Sequence, residues 1–523
     1  MKIFSTQFAD PRRNFLIVLI LTTLIKFWLA VAIPITGDEA YFYKWGMHLD
    51  WGYYDHPPMG GWLLWLMQQF SSELIILRLP AILLWVVIAL GMMDIFRRLQ
   101  PEHADKAWQL GSLFLLLPFT WALTLVTTDT PLIFFLFFSG YAFLRSELEN
   151  SLKWTVLCGI LLGLALLSKY FAALLAISYA AYYLFFVRTR TAWLKLFIIA
   201  VCALPFFIVN LVYNSTHCWN NILFNVINRN QGSQFSLTTT AIYLGMMLYL
   251  LMPWLLYQLY KNTKIKDWVS PDRRALVILF ALPFTLFLLL SFYKTVGLHW
   301  VLAFLPFVFI FVAQVSSSDQ IRRLSLWTIF LGVPHIFALA LLAHMPTSTW
   351  QNMKLHAAIV MHKETPQLLS VLMRDMPEDG VLMTRSYSSA SLFGYYERTD
   401  IPVFGMGSFH ARMDDNLTDF HQFAGKTIRV FDTRPITQES MAPFFEEAHV
   451  SIVRLNGARY WLAEGKNFKF DVYRDQVLSV IAASYYRIPL FLPQRGCKFL
   501  EQYDLPAGKP LEKKNGNLNA LFK

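Results

Sequence analysis

The chain has 523 residues, of which 56% are hydrophobic and only 15% are charged, and its mean hydropathy is +0.43. A soluble globular protein carries more charge than this, so the composition predicts a membrane protein. The formal net charge of +11 could indicate a nucleic-acid partner. The basic residues lie in alternate loops between apolar runs, however, and this distribution argues against nucleic acid as the partner.

Apolar runs of bilayer length recur from the N-terminus to about residue 344. They predict about 11 transmembrane helices, at roughly 14–33, 75–96, 107–126, 130–145, 154–168, 170–187, 194–213, 240–260, 274–293, 298–314 and 325–344. The first run could instead be a cleaved signal peptide that ends in Ala30-Val31-Ala32. Because it is long for a signal and many further runs follow, we interpret it as a retained helix.

Lysine and arginine are divided unequally between the two sets of loops. One set, together with the N-terminus, holds 18 of them, and the other set holds five: Lys44, Arg78, Lys169, Arg229 and Lys294. Cytoplasmic loops of membrane proteins carry the excess of positive charge. The asymmetry therefore predicts a cytoplasmic N-terminus and places everything after His344 on the non-cytoplasmic side.

The composition changes at about residue 346. From there to the end the chain has 21 basic and 19 acidic residues and no apolar run of bilayer length. Strand-like stretches at 380–385, 401–405, 426–432 and 459–463, with helix-like stretches at 388–398 and 441–448, predict an α/β layer structure. We therefore expect a transmembrane domain over 1–345 and a soluble extracytoplasmic α/β domain over 346–523.

The four cysteines and the common site motifs give little further information. Cys158 and Cys202 fall within predicted spans, whereas Cys218 and Cys497 would lie outside, where a disulfide is permitted. Whether that pair is bonded stays open at this point. The sequence has no CxxC, no HExxH and no glycine-rich phosphate loop, so soluble-nucleotide binding has no support.

A polar and aromatic stretch from Gly37 to Trp62 separates the first two apolar runs. It forms most of an amphipathic first outer loop, at about 34–74. Ala40 to Leu49 and the residues after Pro57-Pro58 predict two short helices. Their Trp and Tyr side chains favour the headgroup zone, so both helices should lie along the membrane surface.

The acidic residues assigned to the outer face of the membrane part all precede residue 130: Asp38, Glu39, Asp50, Asp55, Glu73 and Asp129. Later outer loops supply Lys169, His217, Arg229, Lys294 and His299 instead. This division suits a transfer reaction in which a carboxylate deprotonates a hydroxyl while cations stabilise a departing phosphate. A carboxylate at a membrane face is costly unless it has a function, which favours Asp38, Glu39 and Asp129.

The other charges have simpler interpretations. Asp50, Glu73 and Arg229 are interpreted as solvated loop charges, and His217 as a plain loop residue. Lys169 and His299 are candidates for stabilising negative charge. For Lys169 a membrane anchor is the competing role, and for His299 it is capping or packing beside Trp300.

Five motifs in order carry a resemblance to a known family: Asp38-Glu39, Tyr54-Asp55-His56-Pro57-Pro58, Thr128-Asp129-Thr130-Pro131, Ser168-Lys169-Tyr170 and Gly297-Leu298-His299-Trp300. The chain resembles the bacterial branch of the protein O-mannosyltransferase superfamily. Relatives in that branch include the aminoarabinose transferase of lipid A and the galacturonosyltransferases of lipopolysaccharide core. The resemblance covers the membrane part in order and 380–432 more loosely.

The resemblance implies a polytopic α-helical membrane protein of the GT-C type in the bacterial inner membrane, with a periplasmic C-terminal domain. It implies an inverting hexosyl- or pentosyltransferase that uses a polyprenyl-phosphate sugar donor. The acceptor would be a glycolipid, lipopolysaccharide or protein.

The resemblance also assigns roles to residues. Asp38 matches the position proposed as catalytic base, Glu39 accompanies it, and Asp129 matches a second loop carboxylate. Asp55 and His56 fall where relatives place an acidic and then a basic residue next to the donor phosphate. Some relatives bind a divalent metal through that acidic residue and a loop histidine. This chain has Asn where that histidine is expected, so a metal is left open.

Two functions of other classes remain as alternatives. A transporter would need intramembrane charges, but it should show broken helices or repeated halves with polar residues near the midplane. In this sequence nearly all of the charge lies at one face. A non-catalytic lipid-binding or assembly protein would keep the fold without needing Asp38.

The cation asymmetry makes a topological prediction. Reporter fusions at Gly405 and Ser270 in the intact cell should report opposite sides of the membrane, outside for Gly405 and cytoplasm for Ser270. An enzyme active only in the cytoplasm and one active only outside it, fused at each position, provide the measurement. Both positions on one side would refute the eleven-span topology.

Overall fold

A computed structural model describes residues 10–230, 234–493 and 495–506. The chain divides into two compact units. The helical unit contains Met1–Ile33, Met67–Val209 and Gly232–Ala343, and the mixed unit contains Pro34–Leu66, Asn210–Gln231 and His344–Lys523. The sequence predicts that 34–66 and 210–231 belong to the membrane part. In the structure both stretches group with the C-terminal residues.

Within the described residues, eight helices are long and apolar enough to cross a membrane: Pro11–Ala32, Leu74–Leu99, Asp129–Glu149, Tyr170–Val187, Arg190–Thr216, Arg274–Ser291, Leu298–Val315 and Ser318–His344. A ninth span results if Leu237–Leu251 and Pro253–Asn262, which meet at 80°, are counted as one. The bend lies at Met252, whose φ is +59°, directly before Pro253. A residue before proline is disfavoured in the helical conformation, which explains the break.

Two predicted spans are shorter than expected. The run at 154–168 is the 15-residue helix Leu152–Leu166, about 22 Å long against a hydrocarbon core of about 30 Å. The run at 107–126 is split before Pro118 into Lys106–Leu116 and Pro118–Ala122. The count of eleven spans therefore stays a prediction.

The helical segment Leu298–Val315 lies in the core of the helical unit, and 83% of its residues are buried. Its neighbours approach closely through small residues, and a Cβ on Gly140 would lie 2.3 Å from the Phe307 ring. Arg78 is fully buried and donates to the carbonyls of Ala30 and Ile33, at 2.9 and 2.7 Å. These bonds satisfy carbonyl groups that the end of the first helix leaves without helical partners.

A four-stranded sheet forms the layer of the mixed unit, in the order β1-β2-β4-β3. Its strands are β1 (Val381–Thr384), β2 (Ile428–Asp432), β3 (Glu447–Leu455) and β4 (Ala458–Lys466). β1 and β2 are parallel, with Val381 opposite Ile428, and the other two pairings are antiparallel. The Asn456-Gly457 turn joins β3 to β4, and both of its residues have positive φ, the geometry of a tight hairpin.

The mixed unit also contains short helices. They are Gly37–Met47, Met59–Gln68, Asn220–Ile222, His356–Lys363, Thr365–Leu372, Tyr387–Glu397, Asp414–Leu417, Gln438–Met441, Phe470–Tyr473, Ser479–Tyr485 and Lys498–Gln502. The predicted strand at 401–405 is only a single bridge between Thr384 and Val403. The predicted helix at 441–448 is wrong at its end, where β3 begins at Glu447, because the Asn456-Gly457 hairpin extends that strand.

Helix Gly37–Met47 packs directly against helix Tyr387–Glu397. A Cβ on Gly37 would lie 1.8 Å from Ser388 Oγ, so the two helix starts approach as closely as glycine allows. Lys44 pairs with Asp414 at 2.5 Å and lies 3.6 Å from Asp400. The first outer loop is therefore fixed to residues that come some 350 positions later.

A disulfide between Cys218 and Cys497 joins the 210–231 segment to the C-terminal part of the mixed unit. The Cys218 N–H also donates to the Gly496 carbonyl at 3.4 Å, and the Trp219 indole donates to the Pro493 carbonyl at 2.7 Å. The pairing left open by the sequence is present, and Cys158 and Cys202 are free thiols.

The Cys218–Cys497 disulfide predicts how many cysteines react with an alkylating reagent before and after reduction. In the unfolded, unreduced protein an alkylating reagent should modify two thiols, those of Cys158 and Cys202, and all four after reduction, as counted by mass spectrometry. Cys218→Ser should lower the free energy of unfolding by about 2–4 kcal/mol. Cys202→Ser is the matched control and should change it little. Four alkylated cysteines without reductant would contradict the pairing.

Candidate functional site

The sequence-predicted site residues form two groups, one in each unit. In the helical unit, the Lys169 ammonium donates to both carboxylate oxygens of Asp129, at 2.9 and 3.0 Å. His299 Nε2 lies 3.9 Å from Asp129 Oδ2. Three residues chosen from separate loops therefore meet, and we name them the Asp129 triad.

Local structure explains the place of Asp129. It is the first residue of helix Asp129–Glu149, where the helix dipole favours a negative charge, and its N–H donates to the Thr127 hydroxyl at 3.2 Å. The carboxylate already accepts two bonds from the Lys169 ammonium. Its geometry suits holding Lys169 in place more than removing a proton.

In the mixed unit, Asp38 is exposed in the first turn of helix Gly37–Met47. The Tyr387 hydroxyl donates to Asp38 Oδ1 at 2.9 Å. Tyr387 begins its own helix, whose N-cap is Ser386. Burial raises the pKa of the Tyr387 phenol and the nearby Asp38 carboxylate raises it further, so the phenol stays protonated and remains a donor.

Glu39, next to Asp38, is buried and has a local structural task. Its carboxylate accepts from the N–H and the hydroxyl of Thr36, and the Thr36 hydroxyl accepts from the Glu39 N–H, all at 3.2 Å. This reciprocal pair is a capping box, which fixes the start of the helix. The two neighbouring acids thus differ: one is exposed toward solvent and the other stabilises the helix that presents it.

Asp55 and His56 lie in the same unit, and Asp55 is buried. Asp55 Oδ1 accepts from the Tyr41 hydroxyl at 3.5 Å, and Oδ2 lies 3.3 Å from His56 Nδ1. Burial, followed by the Asp55 carboxylate, raises the pKa of Tyr41, which keeps this phenol protonated. The Tyr41 oxygen also accepts from the Met413 N–H at 3.2 Å. Tyr41 therefore links Asp55 to the chain near residue 413.

Two further residues, Arg229 and His410, are affected by the charge of Asp55. Burial lowers the pKa of Arg229 and the Asp55 carboxylate opposes that effect. Partial burial and the Arg229 cation lower the pKa of His410, while Asp55 and Asp38 oppose the shift. Asp38, Asp55 and Arg229 therefore all act electrostatically on His410, and Asp55 also acts on Arg229.

Few sequence features pointed to these partners. Arg229 was interpreted as a solvated charge, although its loop has no acid to neutralise it, and that was the available signal. His410 and Tyr387 lie in no motif. The His410 loop is shaped by Arg412, which pairs with Asp415 at 2.7 Å and donates to the carbonyls of Met406 and Ser408.

The asparagines of the 210–231 segment have a different task from metal binding. Asn221 donates to the Tyr53 carbonyl at 3.2 Å, and Asn225 donates to the Asp55 carbonyl at 2.8 Å. His217 stacks on Tyr213, with ring centroids 4.1 Å apart. Among the residues that the structure describes, no group of three or more His, Cys, Asp or Glu is placed to hold a metal ion. The residues around Asp55 therefore do not fit a metal.

Together, the residues of the mixed unit combine an exposed carboxylate, a phenol that orients it, and a cationic neighbourhood around Asp55. Such a set can accept a proton from a hydroxyl and bind an anionic group. We name Asp38, Asp55, His56, Tyr387, Arg229 and His410 the Asp38 cluster.

The electrostatic coupling predicts opposite shifts of one pKa. Arg229→Gln removes a cation beside His410, so the pKa of His410 should rise, whereas Asp55→Asn removes a carboxylate and should lower it. The pH dependence of diethylpyrocarbonate modification at His410, followed by mass spectrometry in the full-length protein, measures both. His421 is the internal control, and its curve should be unchanged. Shifts of the same sign in both variants would contradict the cluster.

Comparison with known families supports the resemblance from the motifs. The family model described as "Dolichyl-phosphate-mannose-protein mannosyltransferase" matches residues 55–213, which is less than half of the chain. The match begins at Asp55 and includes Asp129 and Lys169.

A curated relative and a solved structure extend this similarity. The lipid A galacturonosyltransferase RgtD of Rhizobium johnstonii is 27% identical over 304 residues, 54% of this chain and 60% of that protein. The crystal structure of ArnT from Cupriavidus metallidurans bound to undecaprenyl phosphate superposes with a TM-score of 0.60 at 14% identity, over 86% of this chain and 97% of that one. Its apo state matches equally well. This chain therefore has the GT-C fold of ArnT and is similar in sequence to a bacterial lipid A glycosyltransferase.

Proposed function

We propose that the chain is an integral membrane glycosyltransferase that moves a sugar from a polyprenyl-phosphate donor to a hydroxyl of a glycolipid. The main observation in its support is that Asp38 is an exposed carboxylate that accepts a hydrogen bond from the protonated Tyr387. The similarity to RgtD, a lipid A galacturonosyltransferase, and the fold shared with ArnT support this assignment.

Asp38 acts as the general base in this proposal. It accepts the proton of the acceptor hydroxyl as the oxygen bonds to the anomeric carbon and the bond from that carbon to the donor phosphate oxygen breaks. A single displacement of this kind inverts the configuration. A placed base contributes about 10²–10⁴ in rate, and positioning of the reactants supplies much of the rest.

The departing group is a phosphate, which gains negative charge as the bond breaks. We assign His56, whose Nδ1 lies 3.3 Å from Asp55 Oδ2, and Arg229, whose charged form the Asp55 carboxylate favours, to that charge within the Asp38 cluster. The Asp129 triad has the same chemistry, a cation held by a carboxylate, and we assign Lys169 and His299 to an anionic group of the substrates. Asp129 then positions Lys169.

We place Glu39 outside the chemistry, since its carboxylate completes the capping box. No step is routed through a metal, because the residues around Asp55 do not fit one.

For location, we propose the bacterial inner membrane with the N-terminus in the cytoplasm and the C-terminal residues in the periplasm. The Cys218–Cys497 disulfide supports this side, since disulfides persist in oxidising compartments. A glycolipid acceptor is favoured over a protein by the name of the RgtD relative.

The proposal is tested by four single substitutions in cells from which the gene has been deleted, with mass spectrometry of lipid A and core glycolipids as the readout. Asp38→Asn keeps the shape but removes the base, so product formation should fall by about 100-fold or more. Tyr387→Phe removes one hydrogen bond to a charged group and should lower it by about tenfold. Glu73→Gln alters an exposed outer acid and should leave the product unchanged.

Glu39→Gln separates the capping role from a catalytic one. It should reduce thermal stability more than product formed per folded molecule. Binding of undecaprenyl phosphate to purified Asp38→Asn, measured by native mass spectrometry, should match the unmodified protein. If the Asp38→Asn protein makes unmodified amounts of product, or if Glu73→Gln is equally damaging, the base lies elsewhere.

A further inference from the structure

A tight turn near the C-terminal end of the mixed unit presents two large apolar side chains to solvent. The Leu492 N–H donates to the Pro489 carbonyl at 3.0 Å, so Leu490 and Phe491 are the two central residues of the turn. Their exposed fractions are 98% and 78%. Central turn positions normally carry Gly, Asn, Asp or Ser, so this pair needs a physical reason.

The residues that flank the turn are basic. Arg487, Arg495 and Lys498 are all exposed, and residues 487–500 contain no Asp or Glu. An apolar tip with a rim of positive charge matches the interface of an anionic bilayer, where acyl chains lie beneath phosphate groups. We name residues 487–493 and 495–498 the basic turn.

The basic turn is tied to the end of a helix of membrane-spanning length. Cys497 is bonded to Cys218, two residues after the end of helix Arg190–Thr216. The Trp219 indole donates to the Pro493 carbonyl at 2.7 Å. Leu490 precedes Pro493 by three residues, which limits its distance from that bond to about 11 Å.

A helix that crosses a bilayer ends near the membrane face. The headgroup zone on each side is only about 5–8 Å deep. The attachment to Trp219 therefore keeps Leu490 and Phe491 within reach of the lipid at the face where helix Arg190–Thr216 ends.

We propose that the basic turn inserts Leu490 and Phe491 into the lipid leaflet at that face and that Arg487 and Arg495 bind the phosphates of anionic phospholipids. The insertion anchors the mixed unit at the membrane face where that helix ends. It does not depend on the proposed glycosyl transfer, and its test does not use activity.

The experiment places an environment-sensitive fluorophore at single positions of the full-length protein in phosphatidylglycerol-containing nanodiscs. Cys158→Ala and Cys202→Ala first remove the free thiols, and Leu490→Cys or Ile452→Cys then provides the labelling site. Ile452 is the matched control, an exposed apolar residue on β3 of the same unit. Labelled proteins must retain the Cys218–Cys497 bond, which mass spectrometry verifies.

The label at position 490 should show blue-shifted emission and several-fold stronger quenching by lipids that carry a nitroxide on the acyl chain than the label at position 452. Arg487→Gln with Arg495→Gln should reduce the quenching at 490 several-fold in anionic discs. Equal quenching at the two positions, or emission at 490 as in water, would overturn the insertion and leave the turn to a protein partner. Quenching that is unchanged by the two arginine substitutions would overturn the assignment to anionic lipid.

Discussion

The close approach of two helix starts, at Gly37 and Ser388, is the constraint on which the proposed site depends. Only a glycine permits this distance, because a Cβ at position 37 would occupy the place of the Ser388 hydroxyl. The approach brings the Tyr387 phenol to Asp38. The capping box of Thr36 and Glu39 fixes the start of the first helix from the other side. The Tyr387 hydrogen bond thereby orients an exposed acid.

Around the buried Asp55, groups of opposite charge act on one another. The Asp55 carboxylate lies beside a phenol and an imidazole and within the field of Arg229, and partial burial and that same arginine lower the pKa of His410. The 210–231 segment is fixed at two places. The Cys218–Cys497 disulfide ties it to the C-terminal residues, and the side chains of Asn221 and Asn225 donate to the carbonyls of Tyr53 and Asp55. Asn at the position of an expected metal-binding histidine is thus explained by a structural role.

Much of the fold followed from the sequence, and the departures have local causes. About eleven spans were predicted from apolar runs, and eight helices of the described residues have membrane length. The strands β1, β2 and β4 were predicted from alternating patterns. The breaks before Pro118 and Pro253 shortened or bent other runs, although Pro80, Pro205, Pro283 and Pro334 lie inside continuous helices. β3 was not predicted, although Asn456-Gly457 between two strands is a strong hairpin signal.

The amino-acid sequence alone was enough to identify a membrane protein, since each segment's composition records whether it meets lipid, water or the interface. The motifs that resemble the O-mannosyltransferase superfamily then made Asp38, Asp55, Asp129, Lys169 and His299 candidates. The folded chain was needed to find that Tyr387 donates to Asp38, that Asp55 and Arg229 act on His410, and that Glu39 is a cap while Asp129 accepts from Lys169. Asp38 and Tyr387 are 349 residues apart, and contacts at such separation leave no periodicity in the chain that could reveal them.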